Sequence, residues 1–76
     1  MEVYCYDDAR YIIFKPSKTY GLTDFYYFSK DFIMLENDVL KDAEVRSIRH
    51  SMSTLNIVEV DDNSITAKLL LLMEDR

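Results

Sequence analysis

The chain has little of what disorders, staples or anchors a protein. Glycine, proline, cysteine and histidine each occur once, as Gly21, Pro16, Cys5 and His50, and tryptophan is absent. So few backbone breakers argue against a flexible or disordered segment. One cysteine excludes an intrachain disulfide. Cys5 and His50 cannot build a zinc site without carboxylates. We read Cys5 as a small buried apolar residue in a strand, and an unpaired thiol fits a reducing compartment. MEVYCYDDAR lacks the basic start and apolar run of a secretory leader. The longest aliphatic run, Leu69 to Met73, is too short to span a bilayer. These absences lead us to expect a cytoplasmic protein without a membrane partner.

Basic charge is also scarce. Fourteen acidic residues face nine basic ones, for a formal charge of −5. A domain that binds polyanions shows the opposite balance, so no direct nucleic-acid contact is expected. A protein partner with a basic surface suits this charge better. Residue usage leans to Phe, Tyr, Met, Ile, Asn and Lys over Gly, Ala, Arg and Pro. That bias is associated with AT-rich genomes such as those of many phages, in which case the cytoplasm would be that of a host cell.

What the chain does have is aromatic. All ten tyrosines and phenylalanines lie between Tyr4 and Phe32, and the remainder is aliphatic. At 76 residues we expect one small domain over 1–76, which buries roughly 60% of its unfolded surface.

The first element reads as a hairpin. Val3–Tyr6 and Arg10–Phe14 are strand-like around the turn Asp7-Asp8-Ala9. A three-residue loop opposes Tyr6 to Arg10, Cys5 to Tyr11, Tyr4 to Ile12 and Val3 to Ile13. Val3, Cys5, Tyr11 and Ile13 then share one face; Tyr4, Tyr6, Arg10 and Ile12 share the other. Both faces are apolar, so either both are covered or one is sticky. Lys15 to Gly21 reads as a loop after Pro16 ends the strand.

The segment DFYYFSKDFIML, residues 24–35, alternates poorly as a strand. Phe25, Phe28, Phe32, Leu35 and Val39 fall on one helical face, with Thr23 as N-cap. We therefore expect a helix, the alternative being a hairpin turning at Ser29-Lys30-Asp31. A second helix is expected over roughly Val39–Ser53, capped by Asp38, with Val45, Ile48, Met52 and Leu55 inward and Arg46, Arg49 and His50 outward. Residues 55–60 read as a strand, followed by a turn at Asp61-Asp62-Asn63-Ser64. For 65–73 the expectation is a strand closing a second hairpin, the alternative a helix capped by Ser64. The expected fold class is α+β: a small antiparallel sheet of two hairpins with one or two helices packed on one face.

Catalytic signatures are missing. There is no phosphate loop, nucleophile elbow or metal-ligand spacing. Asp7, Asp8, Asp61 and Asp62 could hold Mg²⁺ or Ca²⁺ if both turns met, but solvated turns explain them as well. His50 near a helix end needs no acid–base role. We expect no enzyme, no metal and no cofactor.

The phenylalanines read as core. The tyrosines are the better lead, since a tyrosine joins a large apolar ring to a polar tip. The candidate partner-binding residues are Tyr4, Tyr6, Tyr20, Tyr26 and Tyr27, with the acids Asp7, Asp8, Asp61 and Asp62. The function this favours is a non-enzymatic protein-binding module, such as a phage or mobile-element inhibitor of a host protein. The alternatives are a nucleic-acid mimic blocking a DNA- or RNA-binding enzyme, or a homo-oligomeric accessory subunit such as a homodimer.

Overall fold

The computed structural model describes residues 1–7 and 9–74. Five strands and two helices run in the order β1 (Glu2–Tyr6), β2 (Arg10–Pro16), β3 (Leu22–Ser29), β4 (Met34–Lys41), α1 (Asp42–Ser53), β5 (Ile57–Glu59) and α2 (Asn63–Glu74). The strands form one sheet in the order β4-β3-β2-β1-β5. Every neighbouring pair is antiparallel.

The β1–β2 hairpin has the expected register: Val3 faces Ile13, Tyr4 faces Ile12, Cys5 faces Tyr11 and Tyr6 faces Arg10. Asp7 sits in the turn with φ 55°, a conformation that Asp tolerates better than most residues. Between β2 and β3, Ser17 and Leu22 close the turn: the Ser17 N–H donates to the Leu22 carbonyl at 3.1 Å. Gly21 provides the φ of +83° that this turn requires.

Residues 24–35 are not a helix. They form most of β3, a turn after Ser29, and the start of β4. The Ser29 hydroxyl accepts from the backbone N–H groups of Asp31 and Ile33 and organises the turn. The helical spacing of the phenylalanines misled because β3 is covered on both sides. Phe28 packs in the core of one face and Phe25 against that of the other. A strand buried on both faces loses its polar–apolar alternation.

The α+β class and an antiparallel sheet of hairpins with packed helices are as expected. The helices do not share one face, however; they take one each. Ile12, Phe14 and Leu40 meet Val45 of α1. Val3, Ile13 and Phe28 meet Leu69 and Met73 of α2. The doubly apolar hairpin therefore meets a helix of its own chain on each face, although α1 covers its side only in part.

Two further boundaries are corrected. α1 starts at Asp42, because residues 34–41 pair with β3 as an edge strand. Asp38 caps no helix; its carboxylate accepts from the Val39 N–H at 2.8 Å. The Glu44 carboxylate accepts from the Lys41 N–H at 3.1 Å. Acidic side chains thus take two backbone donors of an edge strand, which blunts it against further pairing. Residues 65–73 lie in α2, not in a strand. Leu69 and Met73, one helical turn apart, are buried, whereas Leu71 is 64% exposed. Its N-terminus is capped by Asp62, not Ser64: the Asp62 carboxylate accepts from the Ser64 and Ile65 N–H groups at 2.8 and 3.3 Å. No hairpin forms over 55–73: the hairpins after β1–β2 are β2–β3 and β3–β4, and β5 pairs with β1.

Candidate functional site

α1 covers its face of the sheet incompletely. It packs over β3 and β4 through Val45, and its later turns leave a groove toward β1 and β5. Ser47, Ile48, Ser51 and Met52 form the helical wall, at the spacing of one helix face. Ile12 and Phe25 form the floor, Leu55 and Ile57 one end, and Tyr6, Arg10, Tyr27 and Glu36 the polar margin. The cavity measures about 420 Å³ and is open to solvent. A smaller hollow of about 270 Å³ adjoins it, sharing Met52 and Ile57 and reaching Tyr4 and Glu59. Clefts of roughly 300–1,000 Å³ with mostly apolar walls and a few polar groups are typical binding sites.

Strand alternation decides which candidate tyrosines meet here. Tyr4, Tyr6 and Tyr27 are on the α1 face. Tyr27 accepts a hydrogen bond from Arg10 Nη1 at 3.0 Å, and the guanidinium carbon lies 5.8 Å from the Tyr27 ring centroid. That bond to the Tyr27 hydroxyl raises the arginine's pKa. Tyr4 donates to Glu2 Oε1 at 2.5 Å, which pushes the phenol above its ordinary value. Glu2 in turn accepts from both terminal nitrogens of Arg49. Arg49 therefore does not point outward with Arg46 and His50; it folds back over the Phe14 ring, 5.0 Å from its centroid.

Tyr26 and Tyr20 do not join this set. Tyr26 faces α2 and stacks near Phe28 with centroids 6.5 Å apart, as core-edge packing. Tyr20 is fully exposed at the tip of the β2–β3 turn. The acidic candidates separate as well. The Asp7 N–H reaches the Asn56 carbonyl before β5, whereas Asp61 and Asp62 follow its other end. Asp62 is engaged as a helix cap. Asp8 lies outside the described residues. Among the described residues no three His, Cys, Asp or Glu side chains cluster as a metal site would require. No described helix is long and apolar enough to cross a membrane.

The sequence reading missed Arg10, Ile48, Met52 and Glu36 as site residues. For Arg10 the signal was present: the hairpin register had already set it beside Tyr4, Tyr6 and Ile12. Glu36 and Tyr27 are cross-strand neighbours, which is visible only once β3 and β4 are known to pair.

No protein-family model, curated protein or solved structure matches this chain. The fold and the groove therefore define its class by themselves: a small α+β protein with a sheet between two helices and an open, aromatic-edged cleft beside one of them.

Proposed function

We propose that this protein is a non-enzymatic binding module that grips a partner protein in the groove between α1 and the sheet. The observation that carries this reading is the groove itself, an apolar cleft of about 420 Å³ edged by Tyr6 and Tyr27. Tyrosine at the margin of an apolar cleft is the usual composition of an interface anchor site. Tyr20, fully exposed on a closed turn, offers a second contact point. The exposed acids Glu36 and Asp38 on β4, with Asp42 and Glu44 at the start of α1, would steer a basic surrounding surface toward the cleft.

On this reading the molecule acts by occupancy, as an inhibitor would. Residue usage supports a phage or mobile-element origin and a host-cell protein in the cytoplasm as the target. The acids are spread over a turn, an edge strand and both helices, which favours a protein partner over imitation of a phosphate backbone. The homo-oligomer reading rests on a sheet apolar on both faces and on the C-terminal leucine run; a helix of the same chain on each face favours the protein-partner reading over it.

The test is affinity capture with the full chain beside two groove variants, Ser51→Arg and Leu55→Glu, whose parent side chains are both exposed. A protein recovered in stoichiometric amount and lost with either variant supports the reading. Equal recovery with all three chains would move the contact elsewhere on the surface.

A further inference from the structure

The groove carries one cation, Arg10, and a neighbour on the adjacent strand already orients it. Arg10 is held by the Tyr27 hydroxyl at 3.0 Å and lies against the Tyr27 ring. The only hydrogen-bond partner of its guanidinium among the described residues is that phenol; the one ion pair there joins Arg49 to Glu2. Arginine has five N–H donors in a planar fork that matches a carboxylate. One donor is used by Tyr27, so part of the ordering that a free arginine undergoes on binding is already met. The single opposite charge on the lining, Glu36, stands on β4 beyond Tyr27 and is exposed on the edge strand.

The other half of the recognition is apolar. Ile12, Phe25, Ile48 and Met52 give the cleft a floor and a wall with room for a large aliphatic or aromatic side chain. Burying such a side chain drives binding, and the arginine beside it selects the neighbour of that side chain.

We infer that the occupant of the groove is a peptide segment of the partner in which a large apolar residue stands next to an aspartate or glutamate, the apolar side chain lying between α1 and the sheet and the carboxylate on Arg10. This rests on the reading of the groove as the partner-binding site. It adds a chemical selection that the net charge of the chain does not foretell: an acidic segment, within a partner whose surroundings are basic.

The experiment is a random octapeptide library panned against the full chain. Recovered peptides are then measured by fluorescence anisotropy against the parent and the variants Arg10→Gln, Arg10→Lys and Ser51→Glu, each checked for a parent-like circular dichroism spectrum. The expected result is recovery of peptides with Asp or Glu adjacent to Leu, Ile, Met or Phe. Their binding should weaken about tenfold or more with Arg10→Gln, as loss of a paired charge implies. It should weaken less with Arg10→Lys, which keeps the charge without the fork. It should also weaken with Ser51→Glu, which sets a like charge on the rim. Amide shifts should change at Ile48 and Met52. Peptides that shift these residues but carry no acid, or bind Arg10→Gln as well as the parent, overturn the carboxylate selection and leave the groove reading standing. No recovered peptide, or shifts confined to other surfaces, overturns both.

Discussion

The Glu2 carboxylate and the Arg49 guanidinium meet in a two-pronged ion pair, with contacts of 2.5 and 2.6 Å, that ties the first strand to the first helix. Arg49 also lies over the Phe14 ring, so one side chain closes a salt bridge and covers the core. Both partners are about two-fifths exposed. Replacing the carboxylate alone by Glu2→Gln should cost ~0.5–1 kcal/mol, since water screens such pairs. Arg49→Ala should cost more, ~1–2 kcal/mol, because the stem and the cation over Phe14 are lost as well. Urea unfolding of the two variants should rank them in that order.

The same pair sets a pH dependence. Hydrogen bonds from Arg49, then from Tyr4, lower the Glu2 pKa from 4.5 to about 2. As pH falls, the unfolded chain takes up the proton first, so acid favours unfolding. The contribution of Glu2 is complete above pH 4.5 and is lost as the pH falls through about 2. The difference in urea midpoint between the parent and Glu2→Gln should be constant near neutrality and shrink across that window. A difference that stays level down to pH 2 would show that the pair does not form in solution.

Leu69 and Leu71 separate helix from strand in the C-terminal segment. A strand would set them on one face; α2 sets Leu69 fully inside and Leu71 largely in water. Leu69→Ala should cost about 2–5 kcal/mol, much of the ~5–10 kcal/mol that a domain this size holds. Leu71→Ala should stay within about 0.5 kcal/mol of the parent. Equal losses, followed by thermal unfolding, would contradict the helix.

Asp62 holds the start of that helix through two backbone N–H groups. Asp62→Ala should destabilise by ~1 kcal/mol, while Asp62→Asn should keep most of the cap. Hydrogen exchange at Ser64 and Ile65 should speed up in the alanine variant before the rest of the chain is affected.

At the edge of the sheet, Asp38 and Glu44 occupy the N–H groups of Val39 and Lys41. Freeing both donors in the double variant Asp38→Ala, Glu44→Ala should promote strand-to-strand association. Sedimentation velocity at matched concentrations should show larger species for the variant than for the parent.

The parts legible in the sequence were those that local geometry decides. The three-residue hairpin loop fixes the pairing from Val3–Ile13 to Tyr6–Arg10, and Val45, Ile48 and Met52 of the expected inward set follow from helix spacing; Leu55 does not, because α1 ends at Ser53 and leaves it 49% exposed. β3 was hidden because Phe25 and Phe28 are both sheltered, on opposite faces, by helices that the strand itself cannot announce. Residues 65–73 fit both periods, and only the packing of Leu69 against Ile13 and Phe28 selects one. The groove depends on where α1 crosses the sheet, which is tertiary information. Even so, Arg10, Tyr4 and Tyr6 stood on the correct face from the hairpin register alone.

The strand order also imposes a timetable. β2, β3 and β4 each pair with the strand just before them, so this meander can zip up from neighbouring residues. β1 is different: its second edge waits for Ile57–Glu59, and Val3 waits for Leu69 and Met73. During synthesis β1 therefore stays half-paired, and Val3 uncovered, until residues 57–73 have followed it. Through that interval β1 is a free strand edge with an apolar side, the kind of surface on which a second strand can pair wrongly.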